Sequence, residues 1–208
     1  MKTSAIAMVA AGLAIAVVGG TWGWTQMKAT TARYADCTIG QVAGGAIGGP
    51  FELVTGAGET VTDADIITKP TLLYFGYTFC PDVCPLDNAR NMQVVDALAE
   101  RGLEAQAVFV TVDPARDTPE AMAWFTDNFG DDLIGLTGSD EQIQAAATAY
   151  RVYYDAKIDE DPEYYLVDHS AFTYLVLPET GFVDFFRHEA TAEEMIEPVA
   201  CVIRSSLN

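Results

Sequence analysis

The chain has 208 residues, of which 50% are hydrophobic and 20% are charged. This composition is typical of a globular domain with a buried core, and it excludes disordered, collagen-like and repetitive chains. Eleven Lys and Arg residues against 30 Asp and Glu residues give a formal net charge of −19. Because so acidic a surface repels phosphate backbones, we do not expect the protein to bind nucleic acid. The acidity fits either a well-solvated exported surface or a docking face for a basic partner.

The N-terminal segment is a candidate membrane anchor. Residues 3–27 form a 25-residue stretch without a charged side chain, preceded by Lys2, and Trp22 and Trp24 stand near its end. A bilayer is spanned by about 20 apolar residues, tryptophan favours the interface, and the positive end stays in the cytoplasm. A cleaved signal peptide is the competing interpretation. We expect residues 1–27 to anchor the chain in the bacterial inner membrane and the soluble part to lie in the periplasm.

Glycine and small residues dominate positions 28–49, which therefore resemble a tether, and the predicted domain covers 50–208. Strands are predicted at 71–79, 105–113, 133–138, 169–177 and 182–188, after two short strands joined by a glycine turn within 51–66. Helices are predicted at 86–102 and after the caps Thr118, Ser139 and Thr191, and residues 152–165 as an exposed loop or hairpin. This order predicts an α/β domain with one central sheet.

The first predicted helix has a candidate apolar face. Five of its residues share roughly one side at helical spacing, so we expect them to be buried: Leu86, Met92, Val95, Leu98 and Ala99.

Cys80 and Cys84 are the first candidate reactive residues. They follow the buried strand predicted at 71–79, at the carboxyl edge where open α/β sheets usually place their sites. A proline follows each cysteine, and Pro85 is expected in the first turn of the next helix, with both thiols at its N-terminus. The positive end of a helix stabilises a thiolate. The pair could bind one metal ion or close as a disulfide, although a purely structural bridge over so short a loop would stabilise little.

His169 is the candidate third ligand. It stands at the start of the strand predicted at 169–177, whereas His188 is expected to be a solvated turn histidine. Two thiolates and one imidazole suit Cu(I), while zinc would require a fourth protein ligand or an open water position. The sequence therefore predicts a metal site of Cys80, Cys84 and His169.

Three segments together resemble the Sco/SenC family: FGYTFCPDVCP at 75–85, VTVDPARDTP at 110–119 and DHSAFTYLV at 168–176. The resemblance extends from about residue 50 to the last helix. It implies a membrane-anchored, thioredoxin-like copper protein with a mixed central sheet flanked by helices. It places copper, as Cu(I) or after oxidation as Cu(II), on the two cysteines and the histidine named above. The implied partners are other copper chaperones and the copper-bearing subunit of cytochrome c oxidase, which the protein helps to assemble.

The resemblance also suggests roles around the site. Many members carry histidine before the first cysteine, where this chain has Phe79. Asp168 is expected to orient His169 or its loop, and Asp82 either to tune the thiolates or to remain a solvated turn residue. Three loop residues are expected to brace the chain and cap the next helix rather than contact copper: Asp113, Arg116 and Asp117.

Cys37 and Cys201 form a second candidate pair. An exported domain keeps its disulfides, so we expect a bridge between them, which would stabilise the fold by about 5 kcal/mol in the chain-entropy model. The alternative is two free thiols, with Cys201 buried as a small apolar residue.

Two functions follow from these observations. The first is a copper-binding assembly factor that delivers copper to the CuA centre of cytochrome c oxidase, a binding protein rather than an enzyme. The second is a membrane-anchored thiol–disulfide oxidoreductase or redox sensor that uses Cys80 and Cys84 as its redox pair. The first function requires His169, whereas the second predicts that removing His169 leaves much of the activity intact.

Overall fold

The computed structural model describes residues 33–38, 47–157 and 164–207. The predicted anchor at 1–27 and most of the predicted tether at 28–49 lie outside these residues. Within the described ranges, no helix is long and apolar enough to cross a membrane. All elements described below lie between Cys37 and the C-terminus.

Nine strands form two sheets in the described part of the chain. They are β1 (Glu52–Thr55), β2 (Thr60–Thr62), β3 (Thr71–Gly76), β4 (Gln106–Thr111), β5 (Leu133–Thr137), β6 (Tyr154–Ala156), β7 (Val167–His169), β8 (Phe172–Leu177) and β9 (Gly181–Arg187). The main sheet has the order β2-β1-β5-β4-β3-β8-β9, and β6 pairs with β7 in a separate small sheet. The pairs β3–β4 and β4–β5 are parallel and the other pairs are antiparallel. The sheet is therefore mixed, as predicted.

Five helices complete the described fold: α1 (Asp63–Ile66), α2 (Val83–Ala99), α3 (Pro119–Thr126), α4 (Asp140–Ala149) and α5 (Ala192–Ser206). The side chains of Thr118, Ser139 and Thr191 each accept a backbone N–H hydrogen bond at the start of a helix, which confirms the three predicted caps. All residues of β3 and β4 are buried, so the core lies at the centre of the main sheet. The predicted α/β arrangement is confirmed.

The turn that leads into α2 differs from the prediction. Strand β3 ends at Gly76, and α2 begins at Val83, before Pro85 rather than after it. Pro85 is the third helical residue, where a backbone N–H has no partner within the helix in any case. Cys84 therefore lies inside the first turn of the helix.

The buried face of α2 also differs from the prediction. Met92, Val95 and Leu98 are buried as expected, but Leu86 is 60% exposed and Ala99 is also exposed. Four polar side chains take part of the buried face instead: Asp87, Asn88, Arg90 and Asn91. This polar part lies next to the candidate site.

Cys37 and Cys201 are joined by a disulfide in the structure, with their Cα atoms 5.4 Å apart. The bridge ties the chain before β1 to the last helix, α5. It lies apart from the other two cysteines, which are free thiols.

Candidate metal centre

The dicysteine turn lies between β3 and α2. The Cys84 side chain is fully buried, whereas Cys80 is 8% exposed. The backbone N–H of Cys84 donates to Cys80 Sγ over 3.4 Å. The helix-capping residue Asp82 makes no cap bond with its own side chain and is exposed, so its side chain is a solvated turn carboxylate. The Cys80 sulfur thus accepts a helix N-terminal N–H, as the prediction of thiols at a helix N-terminus requires.

The two thiols differ in acidity. Hydrogen bonding from the Cys84 side chain and from the backbone N–H groups of Asp82 and Cys84 lowers the pKa of Cys80 to about 5, against the opposing effect of burial. Burial raises the pKa of Cys84, and its hydrogen bond to Cys80 acts in the same direction. At neutral pH Cys80 is therefore a thiolate while Cys84 keeps its proton. A metal that binds both sulfurs must displace the Cys84 proton.

His169 is the last residue of β7 and is half-buried. Its Nε2 lies 3.5 Å from Cys84 Sγ, so the structure brings the predicted third ligand to the dicysteine turn. Its Nδ1 lies 3.0 Å from the carbonyl oxygen of Val167. Because a carbonyl can only accept, Nδ1 carries the proton and Nε2 presents its lone pair towards the sulfur.

The prediction that Asp168 orients His169 or its loop fits the loop rather than the ring, because Asp168 pairs with Lys157 across the β6–β7 hairpin. Asp168 is exposed, and its carboxylate pairs with Lys157 at 3.3 Å. The Val167 carbonyl orients the ring instead, because the side chain of Asp168 alternates to the other face of the short strand.

Two buried tyrosines that sequence reasoning missed complete the walls of the site. The Tyr74 hydroxyl lies 3.9 Å from Cys84 Sγ and 3.5 Å from His169 Nε2. The Tyr77 ring packs edge-on against the His169 imidazole, with ring centroids 5.6 Å apart. Burial raises the pKa of both tyrosines, so both hydroxyls keep their protons. A buried tyrosine hydroxyl usually requires a polar partner, and two tyrosines in one buried strand segment were the signal that could have predicted them.

The three predicted ligands are not yet arranged around one point. Across residues 33–38, 47–157 and 164–207, no three His, Cys, Asp or Glu side chains form a group that could hold a metal ion as it stands. Cys84 and His169 already face each other at 3.5 Å. Cys80 Sγ accepts the backbone N–H of Cys84 and lies beside this pair. The donor set of two sulfurs and one imidazole fits a soft, three-coordinate ion.

Arg116 connects the two halves of the site through a cluster that we name the Arg116 clamp: Arg116, Asp113, Tyr165 and Phe79. Arg116 Nη1 donates to the Tyr165 carbonyl over 2.9 Å, and its guanidinium lies over the Tyr165 and Phe79 rings at 3.6 and 4.9 Å from their centroids. Asp113 accepts from Arg116 Nε and from the Tyr165 hydroxyl. The clamp joins the residue before Cys80 to the segment that leads into β7, which confirms the predicted bracing role.

Asp117 also braces the loop that precedes Cys80. Its carboxylate accepts hydrogen bonds from the backbone and hydroxyl of Thr78 and from the hydroxyl of Thr111. The helix cap that follows is supplied by Thr118 alone, so the predicted capping role of Asp117 is wrong.

A buried polar cluster lies behind the site. Asp87 is 1% exposed, and its Oδ1 lies 3.0 Å from Arg90 Nη1 and 2.9 Å from His188 Nδ1. His188 lies in a turn and its side chain is 37% exposed, in line with the prediction of a solvated turn residue, but the pairing of its Nδ1 with this carboxylate was not predicted. Its partner is 101 positions away, and sequence spacing carried no signal for the contact.

Comparison with known proteins decides the family. The SCO1/SenC family model matches residues 40–204. The chain belongs to the SCO1/SenC family. The protein SenC of Rhodobacter capsulatus is 49% identical over 203 residues, which cover 97% of this chain and 90% of that protein. The mitochondrial SCO1 homolog 1 of Arabidopsis thaliana is 42% identical over 160 residues, which cover 76% of this chain but 48% of that protein.

The fold agrees with a solved member of this SCO1/SenC family. The crystal structure of Arabidopsis thaliana ScoI with copper bound has a TM-score of 0.73 and 41% identity, and the match covers 76% of this chain and 99% of that one. The mixed sheet and its helices are thus the thioredoxin-like Sco fold that the resemblance implied.

Proposed function

We propose that this chain binds one copper ion through Cys80 Sγ, Cys84 Sγ and His169 Nε2. The observation that carries the proposal is the 3.5 Å approach of His169 Nε2 to Cys84 Sγ, beside a second sulfur at the same helix N-terminus. Two thiolates and an imidazole are the ligands that Cu(I) prefers. The related Arabidopsis thaliana ScoI was solved with copper bound, which supports the same cargo here.

The three ligands would act in an order set by their environments. Cys80 is the less buried sulfur and carries the lowered pKa, so it would meet an incoming ion first. Cys84 would then lose its proton to solvent as the positive ion offsets the cost of a buried thiolate. His169 already presents Nε2 to the Cys84 sulfur, because Nδ1 is held by the Val167 carbonyl.

The binding test is an anaerobic Cu(I) titration of the reduced full chain in detergent, against a competing chelator. We expect about one Cu(I) per chain for the wild type and a large loss of affinity for His169→Ala. His188→Ala is the matched control, because it removes the only other histidine. Equal retention by wild type and His169→Ala would remove His169 from the ligand set.

We further propose that the copper passes to the CuA centre in the copper-bearing subunit of cytochrome c oxidase, and arrives from other copper chaperones. A half-exposed histidine at the end of β7, outside the main sheet, supports transfer, because a partner ligand can replace it without opening the core. Mixing the copper-loaded chain with the metal-free CuA domain should produce the CuA absorption bands. Copper that stays on this chain would contradict delivery.

We propose that residues 1–27 anchor the chain in the bacterial inner membrane with the domain in the periplasm. The uncharged stretch at 3–27 and the Cys37–Cys201 disulfide support this topology, because disulfides persist outside the cytoplasm. An alkaline phosphatase fusion after residue 49 should be active, and carbonate washing should leave the protein in the membrane fraction. An inactive fusion, or release by carbonate, would refute it.

The comparisons do not favour the thiol–disulfide alternative, although the acidity difference between the two cysteines would suit an attacking and a resolving thiol. The copper titration separates the two functions. If neither wild type nor His169→Ala retained copper while both reduced a disulfide substrate, the oxidoreductase would be the better account.

A further inference from the structure

Tyr74 places a hydroxyl group beside two of the proposed copper ligands. Its oxygen lies 3.5 Å from His169 Nε2 and 3.9 Å from Cys84 Sγ, a distance that a hydrogen bond to the large sulfur atom can span. Tyr74 and Cys84 are both fully buried, so the contact between them is shielded from solvent. A buried tyrosine hydroxyl usually requires a polar partner, and these two ligand atoms supply it.

The main sheet, rather than the site, fixes the position of this hydroxyl. Tyr74 lies in the interior strand β3, opposite Phe109 on β4 and Thr173 on β8. Its ring stacks on the Phe109 ring, with 6.3 Å between the centroids and an angle of 20° between the planes. The hydroxyl is therefore held beside the ligands by packing that does not depend on a metal.

The two acceptors differ in what a bound metal leaves them. His169 Nδ1 donates to the Val167 carbonyl, so Nε2 is the acceptor of this ring, and its single lone pair is used when it binds a metal. A metal-bound thiolate keeps further lone pairs and negative charge, which makes it a strong acceptor. A tyrosine hydroxyl keeps its proton at neutral pH, so in a loaded site Tyr74 has Cys84 Sγ as the acceptor that remains of the two.

We propose that Tyr74 is the hydrogen-bond donor to the Cys84 thiolate in the copper-loaded site, and that this bond makes the site favour Cu(I) over Cu(II). The inference rests on the proposed copper function. Cu(II) withdraws more charge from a bound thiolate than Cu(I) does, so the sulfur accepts the stronger hydrogen bond when the ion is Cu(I). Hydrogen bonding around a ligand cysteine sulfur tunes the potential of copper sites. Tyr74 is thus a positioning residue, which acts on the metal through Cys84.

Tyr74→Phe tests the bond, because it removes one oxygen atom and keeps the ring that stacks on Phe109. The variant loses a contact to neutral Nε2 in the metal-free protein and a stronger one to the thiolate in the Cu(I) protein. The Cu(I) affinity should therefore fall about fivefold, the net effect of one hydrogen bond, and the Cu(II) affinity should change less than about twofold. Competition against a Cu(I) chelator and a Cu(II) chelator measures the two affinities. Equal losses for the two ions, or no loss for Cu(I), would overturn the proposal.

The sulfur-to-copper charge-transfer band of the Cu(II) form gives an independent readout. A hydrogen bond lowers the energy of the sulfur electrons, so its loss should move this band to longer wavelength in Tyr74→Phe. A band that only broadens, or that stays at the wavelength of the wild type, would overturn the proposal.

Tyr174→Phe is the matched control. Tyr174 is a buried tyrosine of β8 that lies opposite Leu73, the neighbour of Tyr74, so its side chain is on the other face of the sheet. This variant should keep both copper affinities within about twofold of the wild type and leave the band unmoved. The same changes in both variants would assign the effect to core packing and overturn the proposal. Thermal unfolding of each variant checks that the fold survives.

NMR distinguishes failure of this inference from failure of the proposed function. In the metal-free protein, Tyr74→Phe should shift the ¹⁵N resonance of His169 Nε2 and Tyr174→Phe should not, and an unmoved resonance would overturn the inference whether or not copper binds. In the Cu(I)-loaded wild type, the Tyr74 hydroxyl proton should give cross-peaks to the β protons of Cys84, and a loaded protein without them would overturn the hydrogen bond alone. Failure of the wild type to bind copper would overturn the proposed function and the inference together, and a shifted Nε2 resonance would then still establish the contact.

Discussion

Gly76 offers a sharp test of the site because its missing side chain makes room for the ligand. A Cβ at this position would lie 2.8 Å from Cys84 Sγ, 2.8 Å from Tyr74 Cε1 and 2.9 Å from Phe109 Cε2. Carbon contacts are optimal at about 3.5–4.0 Å, so these groups would have to move by roughly 1 Å. All three are fully buried, so no free space can absorb the displacement.

Gly76→Ala should therefore lower both stability and copper affinity. Overpacking of this kind costs about 1–3 kcal/mol, and the smaller chain entropy of alanine offsets about 0.4–1 kcal/mol, which leaves a net loss of about 1–2 kcal/mol. Ligand geometry must hold within about 0.5 Å, so moving Cys84 away from His169 should weaken Cu(I) binding roughly tenfold. Urea unfolding and chelator competition measure the two effects.

Gly135→Ala is the matched control. Its added Cβ would lie 2.9 Å from Thr126 Cγ2 and 3.3 Å from Met122 Cε, so it crowds the core on α3, away from the thiols. This variant should lose stability and keep the copper affinity of the wild type. If both alanine variants bound copper as tightly as the wild type, the argument that Gly76 shapes the site would be refuted.

Three further predictions follow. Arg116→Met removes the cation of the Arg116 clamp and loosens the segment before β7. Cu(I) binding, measured by chelator competition, should therefore weaken about threefold to tenfold. Unchanged binding would show that the clamp does not position His169. Cys37→Ser should lower the free energy of unfolding by about 5 kcal/mol, and reduced wild type should show the same loss in urea; unequal losses would contradict a disulfide as the cause. In the metal-free protein, alkylation of Cys80 should rise with pH through a midpoint at about 5, because its pKa is lowered, while Cys84 stays unreactive; a midpoint near 9 would contradict this.

The elements and the proximity of Cys80, Cys84 and His169 could be predicted because their signals are mostly local. Caps such as Thr118, Ser139 and Thr191 act within one helical turn, and the apolar run of β3 marks a buried strand wherever it packs. Cys80 and Cys84 belong to one short motif. Bringing His169 to them required only the strand order and the family resemblance.

The surroundings of the site could not be predicted because their partners are distant in sequence. Hydrophobic periodicity placed Leu86 on the buried face of α2, whereas the structure exposes Leu86 and buries Asp87. Asp87 is buried because the Arg90 guanidinium offsets its charge and His188 Nδ1 contacts the same carboxylate oxygen. Arg90 also donates to the carbonyl groups of residues 187, 188 and 190. Such pairings leave no periodic signal. The bond from His169 Nδ1 to the Val167 carbonyl is invisible for another reason, because every residue carries a carbonyl group.

Release of a bound ion requires one donor to leave before the others, and the three proposed donors differ in how firmly the fold holds them. Cys84 is fully buried in α2, and Cys80 accepts a backbone N–H of the same helix. His169 ends β7, which, among the described residues, pairs with β6 and not with the main sheet. Because a two-stranded sheet is only marginally stable by itself, this hairpin can shift without disturbing the core. We therefore expect release to begin at His169.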